Sequence, residues 1–177
     1  AGSISGTGNL TIRSQSTAQN YRLGTGAESM QGNDYSTLGA TGYMELSRRD
    51  LTAIGGDFAL VSIGHRLNDG ILMVIGDIKD AARLKNDTEL FADIVTVGGD
   101  VQGEESLSLE AYTLYVRRTS VTEPTGPAAS GLAAKQLNIT LDEQLSHEGW
   151  LRGNDGINIQ VLDSTGIGAM VFQAGGA

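Results

Sequence analysis

Glycine recurs along this chain at nearly every break between short apolar runs, while proline is almost absent. The count is 25 glycines against two prolines in 177 residues, roughly twice average glycine usage. Collagen and proline-rich linkers both need proline, so both are excluded. Turns at positive φ need glycine, because it lacks the Cβ that makes the left-handed region costly. The pattern predicts many tight turns joining many short segments.

Those segments read as strands. Asn9-Leu10-Thr11-Ile12-Arg13 and Tyr43-Met44-Glu45-Leu46 alternate polar with apolar, the mark of a half-buried strand. Phe58–Ile63 and Ile71–Ile75 are nearly continuous apolar runs, which suit strands covered on both faces, as in parallel sheets. Further strands are expected at residues 93–97, 106–110, 113–117, 136–141, 157–162 and 169–172. Helical periodicity is scarce. Ser47-Arg48-Arg49-Asp50 fits a capping pattern ahead of Leu51 and Ile54, and Gly55-Gly56 supplies a stop, which predicts one or two helical turns. Shorter helical pieces are expected at 80–85 and 142–147.

The fold class is therefore all-β. Asp69-Gly70 and Asp155-Gly156 are hairpin dipeptides that would suit an antiparallel sandwich. Three features favour a parallel solenoid instead. Gly56-Asp57, Gly76-Asp77 and Gly99-Asp100 recur beside strands at separations of about 20 residues, within the range of solenoid repeats. Core candidates are Ile, Val and Leu, which stack in columns. Aromatic residues make up only 5% of the chain. The expectation is one right-handed parallel β-helix spanning residues 1–177, with one or two short helical turns and a loop protruding at 120–131. At about 20–25 residues per coil, roughly seven to nine coils result.

Composition limits the function. A net charge of −9 lacks the basic footprint that nucleic acid requires. No cysteine is present, so disulfides and zinc–thiolate sites are excluded. No run approaches the roughly 18 apolar residues of a membrane span. The chain begins at Ala1-Gly2-Ser3, which reads as an excised or processed segment.

Few residues are arranged for chemistry. Asn68-Asp69-Gly70 and Asn154-Asp155-Gly156 offer oxygen ligands that calcium could use. Neither extends into a calcium-binding repeat, and turn formation accounts for both, so no cofactor or metal ligand is assigned. His65 and His147 are the only histidines. His147, in Ser146-His147-Glu148, reads as a solvated turn residue. No G-x-S-x-G elbow is present. Asp77, Asp80, Asp93 and Asp100 could converge on one face, as acid–base work on a polysaccharide would need. Asn9-Leu10-Thr11, Asn86-Asp87-Thr88 and Asn138-Ile139-Thr140 match the glycosylation sequon by chance. Arg48-Arg49 and Arg117-Arg118 read as solvated faces. Trp150, the sole tryptophan, reads as a cap over one end of the core, with a sugar-stacking platform as the rival role. No catalytic residue is assigned, and an enzyme is not expected.

The block Leu46-Ser47-Arg48-Arg49-Asp50-Leu51, followed by Gly55-Gly56-Asp57-Phe58-Ala59-Leu60-Val61-Ser62-Ile63-Gly64-His65, resembles a repeat of giant bacterial exoproteins of the filamentous-haemagglutinin kind. The likeness extends to Asp69–Gly76, Val97–Val101, Ser106–Leu109 and, upstream, Tyr21–Ser29. It implies a β-solenoid in a secreted, extracellular or cell-surface protein, with structural or adhesive work and no catalytic residues. Expected partners are neighbouring repeats or further copies stacked end to end, since neither terminus carries a capping helix, and surface glycans or another cell. The rival functions are a β-helix polysaccharide lyase or hydrolase and a β-sandwich adhesin.

Overall fold

The computed structural model describes residues 2–25, 42–67, 69–116, 130–162 and 169–172. Its strands are β1 (Asn9–Ile12), β2 (Asn20–Thr25), β3 (Tyr43–Ser47), β4 (Leu60–Gly64), β5 (Ile71–Val74) and β6 (Thr88–Val97). They continue with β7 (Asp100–Gln102), β8 (Ser106–Val116), β9 (Gly131–His147), β10 (Trp150–Val161) and β11 (Ala169–Phe172). All join one sheet, and every strand pair among the described residues is parallel. An antiparallel sandwich would need hairpin neighbours. The dipeptides Asp69-Gly70 and Asp155-Gly156 make none, so that alternative is overturned.

The pairing runs in three ladders. The first passes through β1, β4, the start of β6, the start of β8, the middle of β9 and the end of β10. The second passes through β3, β2, β5, the end of β6, the end of β8, the end of β9 and β11. The third joins Ile78, β7, the start of β9 and the start of β10. Long strands thus bend from one ladder into the next, β6 around Asp93 and β8 around Tyr112. Asp142–His147, expected as helix, is the second-ladder part of β9. Its Leu145 stacks on Leu114, and that burial outweighs the local helix preference of Asp142-Glu143-Gln144.

Alternation inside each strand sends every second side chain to a shared core. Ile63, Leu90, Leu109 and Ile139 stand in register in the first ladder, all essentially without solvent contact. Leu72, Val95, Leu114 and Leu145 do the same in the second, and Ile78, Val101 and Leu132 in the third. Burying each of these side chains is worth about 1.5–3 kcal/mol before entropy is counted.

The connections between rows vary in length, while the inward columns hold their alignment apart from register shifts between Leu23 and Thr25, Ala111 and Thr113, and Gly153 and Gly156. Hydrogen bonds between adjacent rows join Asp87 to Ser106, 19 residues apart, and Asp77 to Asp100, 23 apart. Others join Ser62 to Glu89, 27 apart, and Ser108 to Asn138, 30 apart. The 30-residue spacing includes the expected loop at 120–131, which lies outside the described residues apart from Ser130 and Gly131. β1–β4 and β2–β5 pair across 51 residues. At one corner Gly24, Gly76 and Gly99 lie against one another. A Cβ at Gly76 would run into the Gly24 carbonyl, and one at Gly99 into the Gly76 carbonyl. The recurring Gly-Asp steps at 76 and 99 are thus imposed by backbone stacked on backbone.

The expected helical turns form as α1 (Arg48–Ala53). Ser47 and Asp50 make a reciprocal capping box, and Leu51 tucks into the core beside Ile54, Val61, Ile63 and Leu84. The piece expected at 80–85 is a single 3-10 turn, Asp80–Ala82. Among the described residues no helix is long and apolar enough to cross a membrane.

Candidate functional site

The outer surface of the third ladder gathers the polar groups most suited to binding. Ile78, Val101, Leu132 and Leu151 are its inward column, so the residues flanking each of them point outward. These are Asp77 and Lys79, then Asp100 and Gln102, then Gly131 and Ala133, then Trp150 and Arg152. The third row carries almost no side chain. Gly131 pairs with Trp150 and Ala133 with Arg152, and the indole leans over Gly131, where a Cβ would strike its ring. The result is an open trough of about 710 Å³, with Gln102 on one bank, Trp150, Arg152 and Asn154 on the other, and Ala133 on the floor. That volume falls in the usual range for small-molecule sites.

One bank is electrostatically closed. The Lys79 ammonium sits 2.7 Å from one Asp77 carboxylate oxygen and 3.5 Å from Asp100. The other Asp77 oxygen accepts the Asp100 backbone N–H at 3.0 Å, and Gln102 donates to Asp100 at 3.1 Å. Burial pushes the Asp77 carboxyl up. The hydrogen bonds from Lys79 and from the Asp100 backbone, helped by the charges of Lys79 and Arg48, outweigh it and hold the group below 3.8. Lys79 moves the opposite way, above 10.5, chiefly through its bond to Asp77, which outweighs desolvation. An acid held this firmly ionised is a poor proton donor near neutral pH.

Asp77 and Asp100 are therefore brought together, as a polysaccharide-cleaving pair would require, but with a lysine between them. Asp80 opens the 3-10 turn at φ 53° on an exposed corner. Asp93 lies where β6 bends from the first ladder into the second, away from this face.

The remaining candidates are dispersed. Asn68 lies outside the described residues, and Asp69 is exposed, its backbone N–H bonded to the Thr17 carbonyl. Asn154 and Asp155 form an irregularity in β10 between Gly153 and Gly156. Among the described residues no group of three His, Asp or Glu side chains could hold a metal ion. The His65 Nδ1 accepts the Leu67 backbone N–H at 3.0 Å. His147 is not a solvated turn residue. It follows Val74, Val97 and Val116 in one second-ladder register and is half-buried, and burial holds its imidazole below 6.5.

Asn86 is buried and donates to the Gly55 carbonyl at 2.9 Å, so that sequon is structural. Asn138 donates to Ser108 within the ladder, and Asn9 begins β1. Arg48 and Arg49 are exposed on α1. Arg117 and Arg118 lie outside the described residues. Trp150 does not cap the core end. It stands on the outer face of a strand, a position that its neighbours in sequence could not reveal. No protein-family model matches this chain, and neither does any curated protein or solved structure.

Proposed function

We propose that the chain winds as a right-handed parallel β-solenoid and serves as a non-catalytic structural or adhesive module of a secreted bacterial surface protein. The observation that carries this reading is the pairing pattern. From β4 and β5 onward the ladders join strands that follow one another at intervals of 19 to 31 residues, always in parallel, around one aliphatic core. β1–β4 and β2–β5 pair across 51 residues, and β3 lies outside β2. Right-handed winding is the preference of parallel crossovers in general. The likeness of residues 46–76 to filamentous-haemagglutinin-type repeats supplies the extracellular setting. Among the described residues the first ladder holds six strands (β1, β4, β6, β8, β9 and β10) and the second seven (β3, β2, β5, β6, β8, β9 and β11).

End-to-end stacking, with further repeats or another copy, has its own support. Ile157 continues the register of Leu107 and Leu137, which are 0% exposed, yet it is itself 45% exposed. A further row of strands would cover it and satisfy the open edge.

Electron microscopy of the purified protein over a concentration series tests both claims. Narrow rods that join end to end as concentration rises are expected. Round particles of fixed size at every concentration would overturn the reading. Release of unsaturated or reducing ends from acidic polysaccharides, with or without calcium, would overturn its non-catalytic part.

A further inference from the structure

We infer that the trough on the third ladder binds a carboxylated sugar, with Trp150 stacking on the sugar ring and Arg152 pairing with its carboxylate. The inference deepens the adhesive reading, and rests on it for its biological use, by naming the ligand class of one surface.

The shape comes first. Ala133 occupies the row between Gln102 and Arg152 and leaves the strand almost bare there, while the Trp150 indole lies over the neighbouring Gly131. Strands lie about 4.8 Å apart, so the two banks stand roughly 10 Å apart at backbone level. A pyranose ring fits such a gap; a helix or a folded loop does not.

Chemistry narrows the occupant. Trp150 presents an indole to the trough. A flat aromatic face suits the axial C–H face of a sugar, which is apolar enough to be drawn from water while the hydroxyls remain at the edge. Gln102 and Asn154 are planar amides placed at that edge, each able to donate and accept. Gln102 already donates to Asp100, so its carbonyl oxygen is left to receive a hydroxyl.

Charge selects among sugars. Lys79, on the far bank, is held by Asp77 and Asp100 and offers little to a ligand. Arg152 is exposed and makes no ion pair among the described residues. Positions 150 and 152 project from the same side of β10, two residues apart, so the guanidinium stands beside the indole. A guanidinium takes a carboxylate through two parallel hydrogen bonds. A sugar bearing a carboxylate at its ring edge meets both groups at once, whereas a neutral sugar leaves the charge unused. The chain's net −9 opposes such a ligand at long range, but that repulsion is screened beyond about 8 Å at physiological salt. The contact with Arg152 is shorter than that.

Because Trp150 is the sole tryptophan, its fluorescence reports this site alone. The test titrates the full chain with a short hexuronate oligosaccharide and with its carboxyl-reduced neutral counterpart, following emission and calorimetric heat. A saturable emission change with the acidic form is expected, with the neutral form at least tenfold weaker. R152Q should remove that preference, and A133F, which fills the floor, should abolish binding of both. W150F, which keeps a ring should W150A fail to fold, should retain weakened binding by calorimetry. No emission change with the acidic form, equal binding of the neutral form, or indifference to R152Q would each overturn the inference. Microscopy of the same sample shows separately whether the rod itself is wrong.

Discussion

At the scale of single residues, His147 is a histidine that takes an inward register position. Val74, Val97 and Val116 precede it in the same ladder. Burial holds the imidazole below 6.5 in the folded chain, so the unfolded chain takes up its proton first as pH falls. Folding stability contributed at this site is intact above about 6.5 and declines as pH drops through the folded value. His147→Leu is expected to remove that decline. Urea midpoints of the two proteins should converge near pH 8 and separate towards pH 5, the variant being the more stable. Parallel curves across the range would refute the account. Residue-level chemistry was only partly legible. A Ser-His-Glu triplet looks like a turn, because nothing local says that its histidine is the inward member of a column. Trp150 was visible as an exception, but its setting depends on Gly131 and Ala133, two unremarkable residues in another strand.

At the scale of elements, the strands were legible because period-two alternation is a local property. Phe58–Ile63 and Ile71–Ile75 announced themselves by continuous apolar runs, although β4 and β5 bury only every second side chain and are not covered on both faces. Asp142–His147 was not legible, since a bending strand places polar residues at its corner just where a helix would place its first turn. The order of strands was hidden too. β3 follows β2 in sequence but pairs on the side of β2 opposite to β5, which no pattern in residues 43–47 foretells. Arg22, nearly without solvent contact at 2% exposure, helps to hold β3 in place. It reaches Glu45 at 3.4 Å and stacks 3.9 Å from the centre of the Tyr43 ring. Glu45→Ala should cost on the order of 2 kcal/mol, less than the ~3–5 kcal/mol of a fully buried pair, because Glu45 is partly exposed. Amide hydrogen exchange in residues 43–47 should quicken while β8 and β9 stay protected. Uniform quickening throughout would argue against a local fastening.

At the scale of the whole molecule, stability resides in ladders whose spacing along the chain is free to vary. Val116 and His147 keep their register across the residues 117–130 that separate their strands. Lengthening that connection should cost little, since the entropy of closing a chain segment grows only with the logarithm of its length, about 0.6 kcal/mol per doubling. A Gly/Ser segment of about ten residues inserted between Pro124 and Thr125 is expected to lower the melting temperature by only a few degrees. The amide spectrum of β8 and β9 should be unchanged; loss of those signals would show that the connection is itself part of the core.

The same freedom shapes how such a chain changes with time. Its ladders register which strand lies beside which, not how many residues separate them. Additions and losses at the corners leave the core untouched, and Ile, Val and Leu exchange readily within a column. Descendants of one ancestor would therefore drift apart mainly by gaps and by swaps among similar residues. Alignment scores penalise the first heavily and gain little from the second, so kinship here should outlast its own visibility in sequence.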